Sequence, residues 1–217
     1  GAHNSYLTGK YACLLRGYTD SDGSQWATLS AVNANGSGSI TAGVFDSNGS
    51  SGAVNGTLTG SYSLASDNRG ILTITLTVGV TQSTIKYAIA ANNIAGTTAN
   101  AIRMVEFDDA GATPSGQHGG GVCYAQTATS ASDLNASFVF ALRGNDGSGS
   151  PSGFVGRFAS NSLALTSGEF DSAAGNVYKG QKNFTSGTFA AGPDSNGRTT
   201  AAFVQNGKTI NLIFYLI

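Results

Sequence analysis

Hydrophobic and polar residues alternate along this chain with a period of two, and no stretch shows a convincing helical period. The clearest run is Leu72, Ile74, Leu76 and Val78, interleaved with Thr73, Thr75 and Thr77, which gives one dry face and one wet face. Tyr11, Cys13 and Leu15 share a face in the same way, as do Phe138, Phe140 and Leu142. Turn dipeptides separate such runs: Asp22-Gly23, Asn35-Gly36, Asn48-Gly49 and Asn206-Gly207. The pattern predicts eight strands near 10–17, 25–33, 39–46, 57–65, 70–78, 83–90, 101–108 and 120–126. Six more are predicted near 136–143, 152–160, 163–171, 183–190, 198–205 and 208–217. Short strands linked by hairpins predict an all-β chain built as antiparallel barrels or sandwiches.

The two sets of strands repeat each other. Leu7-Thr-Gly-Lys-Tyr-Ala-Cys-Leu-Leu-Arg-Gly17 aligns with Leu134-Asn-Ala-Ser-Phe-Val-Phe-Ala-Leu-Arg-Gly144, and Gly43-Val-Phe-Asp-Ser47 with Gly168-Glu-Phe-Asp-Ser172. Gly60-Ser-Tyr62 aligns with Gly187-Thr-Phe189, and the turn at Asp67–Gly70 with that at Asp194–Arg198. An internal duplication follows, with a complete β copy at 1–127 and a truncated one at 128–217. The strand at 208–217 corresponds to 83–90, so the second copy is expected to lack its last two strands.

Composition sharpens this picture. There are 31 Gly against 3 Pro, and ten Asp against two Glu, which favours tight turns over helices. The 11 basic and 12 acidic residues leave a net charge of −1, which gives no support for nucleic acid or anionic membrane as a partner. No apolar run approaches the roughly 18 residues of a transmembrane segment. The opening Gly-Ala-His-Asn-Ser reads as a mature exported chain whose signal peptide has been removed.

Cys13 lies on the first strand of copy one and Cys123 on its last. In a sheet that closes on itself these strands become neighbours, so a Cys13–Cys123 disulfide would pin the closure and imply an oxidising compartment. The alternative is two unpaired buried thiols. Copy two has Phe140 in the place of Cys13.

The series Leu7-x-Gly-x-Tyr-x-x-x-Leu-x-Gly17, Gly43-x-x-Asp46, Gly60-x-Tyr62, Asp67-x-Arg69-Gly70 and Arg103-x-x-Glu106-Phe107-Asp108 resembles the tandem β-repeat units of exported, cell-surface bacterial proteins. That family is functionally uncharacterised, so the resemblance implies an envelope location and a β fold, and transfers no catalytic residues.

Candidate chemistry is sparse. Glu106, Asp108 and Asp109 form the densest acidic cluster, and Glu106 and Asp108 share a strand face as a glycosidase pair would, but a strand ending in Asp-Asp before Ala-Gly is an ordinary turn entry. Asp20-Ser-Asp22-Gly23-Ser24 resembles the start of a calcium loop, yet lacks the distal ligands and reads as a hairpin turn. His118 stands in a Gly-rich stretch read as a flexible loop, and Gly119–Gly121 has no following helix to make a phosphate site. Trp26 and Tyr18 could stack on a sugar ring, against the commoner reading of Trp26 as core. No enzyme activity, metal or cofactor is expected.

One further pattern points to assembly. From residue 212 onward both faces of the strand at 208–217 are apolar, because Ile213, Tyr215 and Ile217 stand where copy one has small or charged residues. Such a strand needs cover on both faces. The cover could be copy one, a neighbouring subunit, or lipid around an outer-membrane barrel; the absence of aromatic girdles disfavours lipid. The segment Gly1, Ala2, His3, Asn4, Ser5 and Tyr6 is the available donor for strand complementation. The expectation is a non-enzymatic, extracellular filament or fibre subunit whose partners are copies of itself. The alternative is a monomeric secreted adhesin or carbohydrate-binding module that recognises surface glycans.

Overall fold

A computed structural model of the chain describes residues 1–107, 116–145, 149–175 and 177–217. The chain divides into two compact units, Gly1–Thr127 together with Tyr215–Ile217, and Ala128–Phe214. Both are antiparallel β structures, and among the described residues no helix is long and apolar enough to cross a membrane.

The first unit contains β1 (Thr8–Thr19), β2 (Gln25–Asn35), β3 (Ser39–Gly49), β4 (Gly52–Leu64), β5 (Arg69–Val78), β6 (Thr81–Ala95), β7 (Thr98–Glu106) and β8 (Gln117–Ala125). Each strand pairs with the next, and β8 returns to β1, so the eight close into an up-and-down barrel. The β1–β8 register sets Cys13 opposite Cys123, and the two form a disulfide of 2.03 Å across the seam. All eight strands expected from the alternation are present. The last strand, however, begins earlier than expected. His118 and the three glycines that follow it lie within β8, with Gly17↔Gly119, Arg16↔Gly120 and Leu15↔Gly121 paired to β1. Glycine has little strand propensity of its own, but β1 and β7 both pair with this stretch and supply the ladder. Asp108 and Asp109 lie outside the described residues.

One end of this barrel is closed by its own N-terminal segment. A single 3-10 turn at Asn4–Tyr6 delivers Leu7 into the core, where it is 2% exposed. The His3 amide donates to the Leu64 carbonyl at 3.0 Å, and the Leu64 amide donates to Asn4 Oδ1 at 2.7 Å. The Tyr62 hydroxyl donates to the Leu7 carbonyl at 2.7 Å, and His3 stacks on Tyr6 with ring centroids 4.3 Å apart. Backbone groups at this end therefore find partners within the unit, as buried groups need to.

The second unit is a seven-stranded sheet that does not close. Its strands are β9 (Ser137–Asn145), β10 (Pro151–Asn161), β11 (Ala164–Ala174), β12 (Val177–Asn183), β13 (Ser186–Phe189), β14 (Arg198–Gln205) and β15 (Lys208–Tyr215). The order is β15-β14-β13-β11-β10-β9, with β12 paired to β11 alone. Among the described residues there is no counterpart of β7 and β8. The strand expected at 183–190 is instead β13, with β12 added before it. The break falls at Phe184, whose ring packs where a Cβ on Gly168 would stand, 2.6 Å from Cδ2. Asn206 and Gly207, with φ of 48° and 74°, make the tight β14–β15 turn that the Asn-Gly pair predicts.

The two units fill their interiors differently. Nine of the 11 phenylalanines fall after residue 137, and they form one continuous cluster. Phe158 alone meets Phe138, Phe140, Phe189, Phe203 and Phe214 at centroid distances of 5.0 to 6.4 Å. Edge and tilted ring pairs each contribute about 0.5–1.5 kcal/mol beyond the area they bury. In this way an unclosed sheet acquires a dry core. The first barrel is lined by a more varied set, with Tyr11, Cys13, Leu15, Trp26, Phe45 and Met104 among its inner residues, and these leave a cavity along it.

Candidate functional site

The inward residues follow directly from strand alternation. Tyr11, Cys13 and Leu15 on β1 face the same space as Trp26, Thr28, Ser30 and Val32 on β2 and Phe45 on β3. Leu58, Leu72, Ile74, Ile102 and Met104 complete the wall. They enclose a cavity of about 760 Å³. An eight-stranded barrel is just wide enough to be filled by side chains or to hold one small molecule, and here the second case applies.

The cavity is graded along its axis. Its floor is apolar, made by Leu7, Tyr11, Val32, Ile40 and Tyr62. The hydroxyls of both tyrosines are turned out of the cavity into backbone bonds, Tyr11 to the Ala99 carbonyl at 2.9 Å and Tyr62 to that of Leu7. Burial holds the Tyr11 phenol up at about 12 and raises that of Tyr62. The opposite end is polar, with Thr19, Ser21, Ser83, Glu106 and Gln117 among the lining residues. Val54 and Val78 line this end and are themselves exposed, so the cavity reaches solvent here.

Polar groups within the wall are few. The Thr28 hydroxyl donates to Ser47 Oγ at 2.8 Å on the neighbouring strand. Glu106 shares the inward face of β7 with Ile102 and Met104, and is the register partner of Tyr87 on β6. Burial first and the Glu106 charge second raise the Tyr87 phenol. Trp26 is 6% exposed, and among the described residues its indole N–H is buried without a hydrogen-bond partner. Such a donor costs stability unless something fills its need.

Several expectations change here. Trp26 is no surface platform for sugars: it lies inside the barrel against Gly17 and Gly119. His118 is not in a loop but on β8, and the β1–β8 pairing brings its Nδ1 against Asp20 Oδ1 despite 98 residues of separation. The Asp22 carboxylate is occupied within its own hairpin, accepting from the Thr19 hydroxyl and from the Ser24 amide at 2.9 Å, which holds it down at about 2. Gly1, Ala2, His3, Asn4, Ser5 and Tyr6, expected as a donor segment, form the plug of their own barrel. Ile213 lies half-buried on β15, while Tyr215 and Ile217 group with the first unit. The cavity itself went unseen in the sequence. Its one legible trace was the contrast at matched positions, Cys13 against Phe140.

Comparison with protein-family models, curated proteins and solved structures finds no match to this chain.

Proposed function

We propose that this protein is a non-enzymatic binding protein whose first barrel takes up one small, predominantly apolar molecule. The observation that carries the reading is a cavity of about 760 Å³ with an apolar wall, plugged at one end and open at the other. That volume falls in the range of sites that bury most of a drug-sized ligand. The disulfide across the seam supports an oxidising, extracellular setting. It also supports a rigid wall, which lowers the ordering cost of binding.

The test is titration of the purified chain with Nile red, a neutral apolar dye, followed by fluorescence. One dye per chain is expected, with emission shifted as in an apolar medium. Ser30 faces the cavity between Cys13 and Phe45. Ser30→Phe would place a ring in the space, so it should weaken dye binding about tenfold or more with the β fold retained. Equal binding by the variant, or none by the natural chain, would count against the proposal.

A second reading, self-association of the second unit, is supported by the outer edge of β9. Val139 on that strand is 87% exposed, and the sheet continues no further on that side among the described residues. An isolated second unit that stays monomeric would count against it.

A further inference from the structure

The ring of positions just inside the mouth is assembled from four adjacent strands. Register places Trp26 of β2 beside Gly17 of β1, and Gly17 beside Gly119 of β8. The β7–β8 register, with Val105 opposite Gly120, then brings Glu106 beside Gly119. Two neighbouring positions in this row thus carry no side chain, and the indole of Trp26 lies across them. A Cβ on Gly17 would be 2.7 Å from Trp26 Cζ2, and one on Gly119 would be 2.4 Å from it. Cζ2 and Nε1 are both bonded to the same ring carbon, so the edge of the indole that bears the N–H is carried from β2 across β1 to β8. That leaves it about one strand spacing, roughly 5 Å, from the strand of Glu106.

The unpartnered indole donor and the Glu106 carboxylate therefore both line the polar end of the cavity. Three kinds of head group can be weighed there. A carboxylate could accept from the indole but would meet the charge of Glu106 in a low-dielectric site. An ammonium could pair with Glu106 but has no acceptor, and would leave the indole N–H bare. An amide has a carbonyl for the indole and an N–H for the carboxylate. We infer that the cavity selects an apolar molecule bearing an amide-like head, a carbonyl oxygen next to an N–H donor, held between the Trp26 indole and Glu106. This assignment rests on the barrel being a ligand holder.

Trp26 is the single tryptophan of the chain, so its fluorescence reports the head-group end directly. Decanamide, decanoate and decylamine share one tail, and would be titrated against the full chain by displacement of Nile red and by Trp26 emission. Decanamide should bind about tenfold more tightly than either of the others and should perturb Trp26 emission. Trp26→Phe should lower decanamide affinity about five- to tenfold more than it lowers Nile red affinity. Glu106→Gln should raise decanoate affinity relative to decylamine. Decanoate binding as tightly as decanamide would overturn the assignment, as would loss of all probes alike in Trp26→Phe or an unchanged ratio of decanoate to decylamine affinity in Glu106→Gln. Failure of Nile red itself to bind the natural chain would remove the ligand-holder reading and this assignment together. Nile red binding without head-group preference would remove only the assignment.

Discussion

Tyr11 is wholly buried in the first barrel, and its hydroxyl donates to the Ala99 carbonyl at 2.9 Å. Its place on the dry face of the first strand was legible from the alternation with Cys13 and Leu15. Its burial to 0% exposure and its bond to Ala99 were not, because the partner lies 88 residues away and is a backbone carbonyl that any residue could present. Its acid–base behaviour follows from that burial. The folded chain holds the Tyr11 phenol at about 12 against an ordinary value of 10.0, and raises Tyr62 as well. A raised value means that the unfolded chain releases these protons first. Stability from the neutral phenols is then fully present below about pH 10 and is lost as pH rises towards and through about 12. Denaturant midpoints should accordingly fall across that window, in step with the late part of the tyrosinate absorbance change. Stability that stays flat through the window would show these hydroxyls to be open to water.

Strands were the most legible level, because a period of two survives any tertiary context that keeps one face dry. Closure was legible only through the cysteines. The seam needs more than the disulfide, since nine residue pairs from Tyr11↔Ala125 to Thr19↔Gln117 join β1 to β8. Both cysteines are buried, so a reductant meets the bond only after local opening. The Cys13→Ala, Cys123→Ala double variant isolates its contribution better than added thiol. The bond closes a loop with 110 residues of sequence separation, and its loss should cost about 3 kcal/mol. The variant should still fold through its ladder, with amide exchange quickened first along β1 and β8. Unchanged melting would mean that the ladder alone carries the closure. The break at Phe184 escaped the sequence for a different reason: it depends on the missing side chain at Gly168 on the neighbouring strand β11, whose carbonyl accepts from the Phe184 amide, and no local pattern announces it.

At the scale of the molecule, one duplicated plan has been carried to two ends. In the first copy the ring of strands is complete, so a hollow interior is tolerable: the walls hold one another and the N-terminal turn plugs the floor. In the second the sheet is open, and phenylalanine replaces enclosure as the source of a dry core. This difference was visible residue by residue, as Phe140 for Cys13, but its meaning needed the topology. It also predicts how the copies behave alone. Residues 1–127 contain every strand, the seam and the plug of the barrel, and should fold as a monomer that keeps Nile red binding. Residues 128–217 retain two sheet edges, β9 and β15, with unpaired backbone groups that invite another strand. Expressed alone, they should associate in a concentration-dependent way on size-exclusion chromatography. Placing lysine at Val139, on the exposed face of the β9 edge, should reduce that association, as charged edges do in natural sheets. A monomeric 128–217 would show that its phenylalanine core and its own edges suffice, and would leave ligand binding by the first barrel as the function with support.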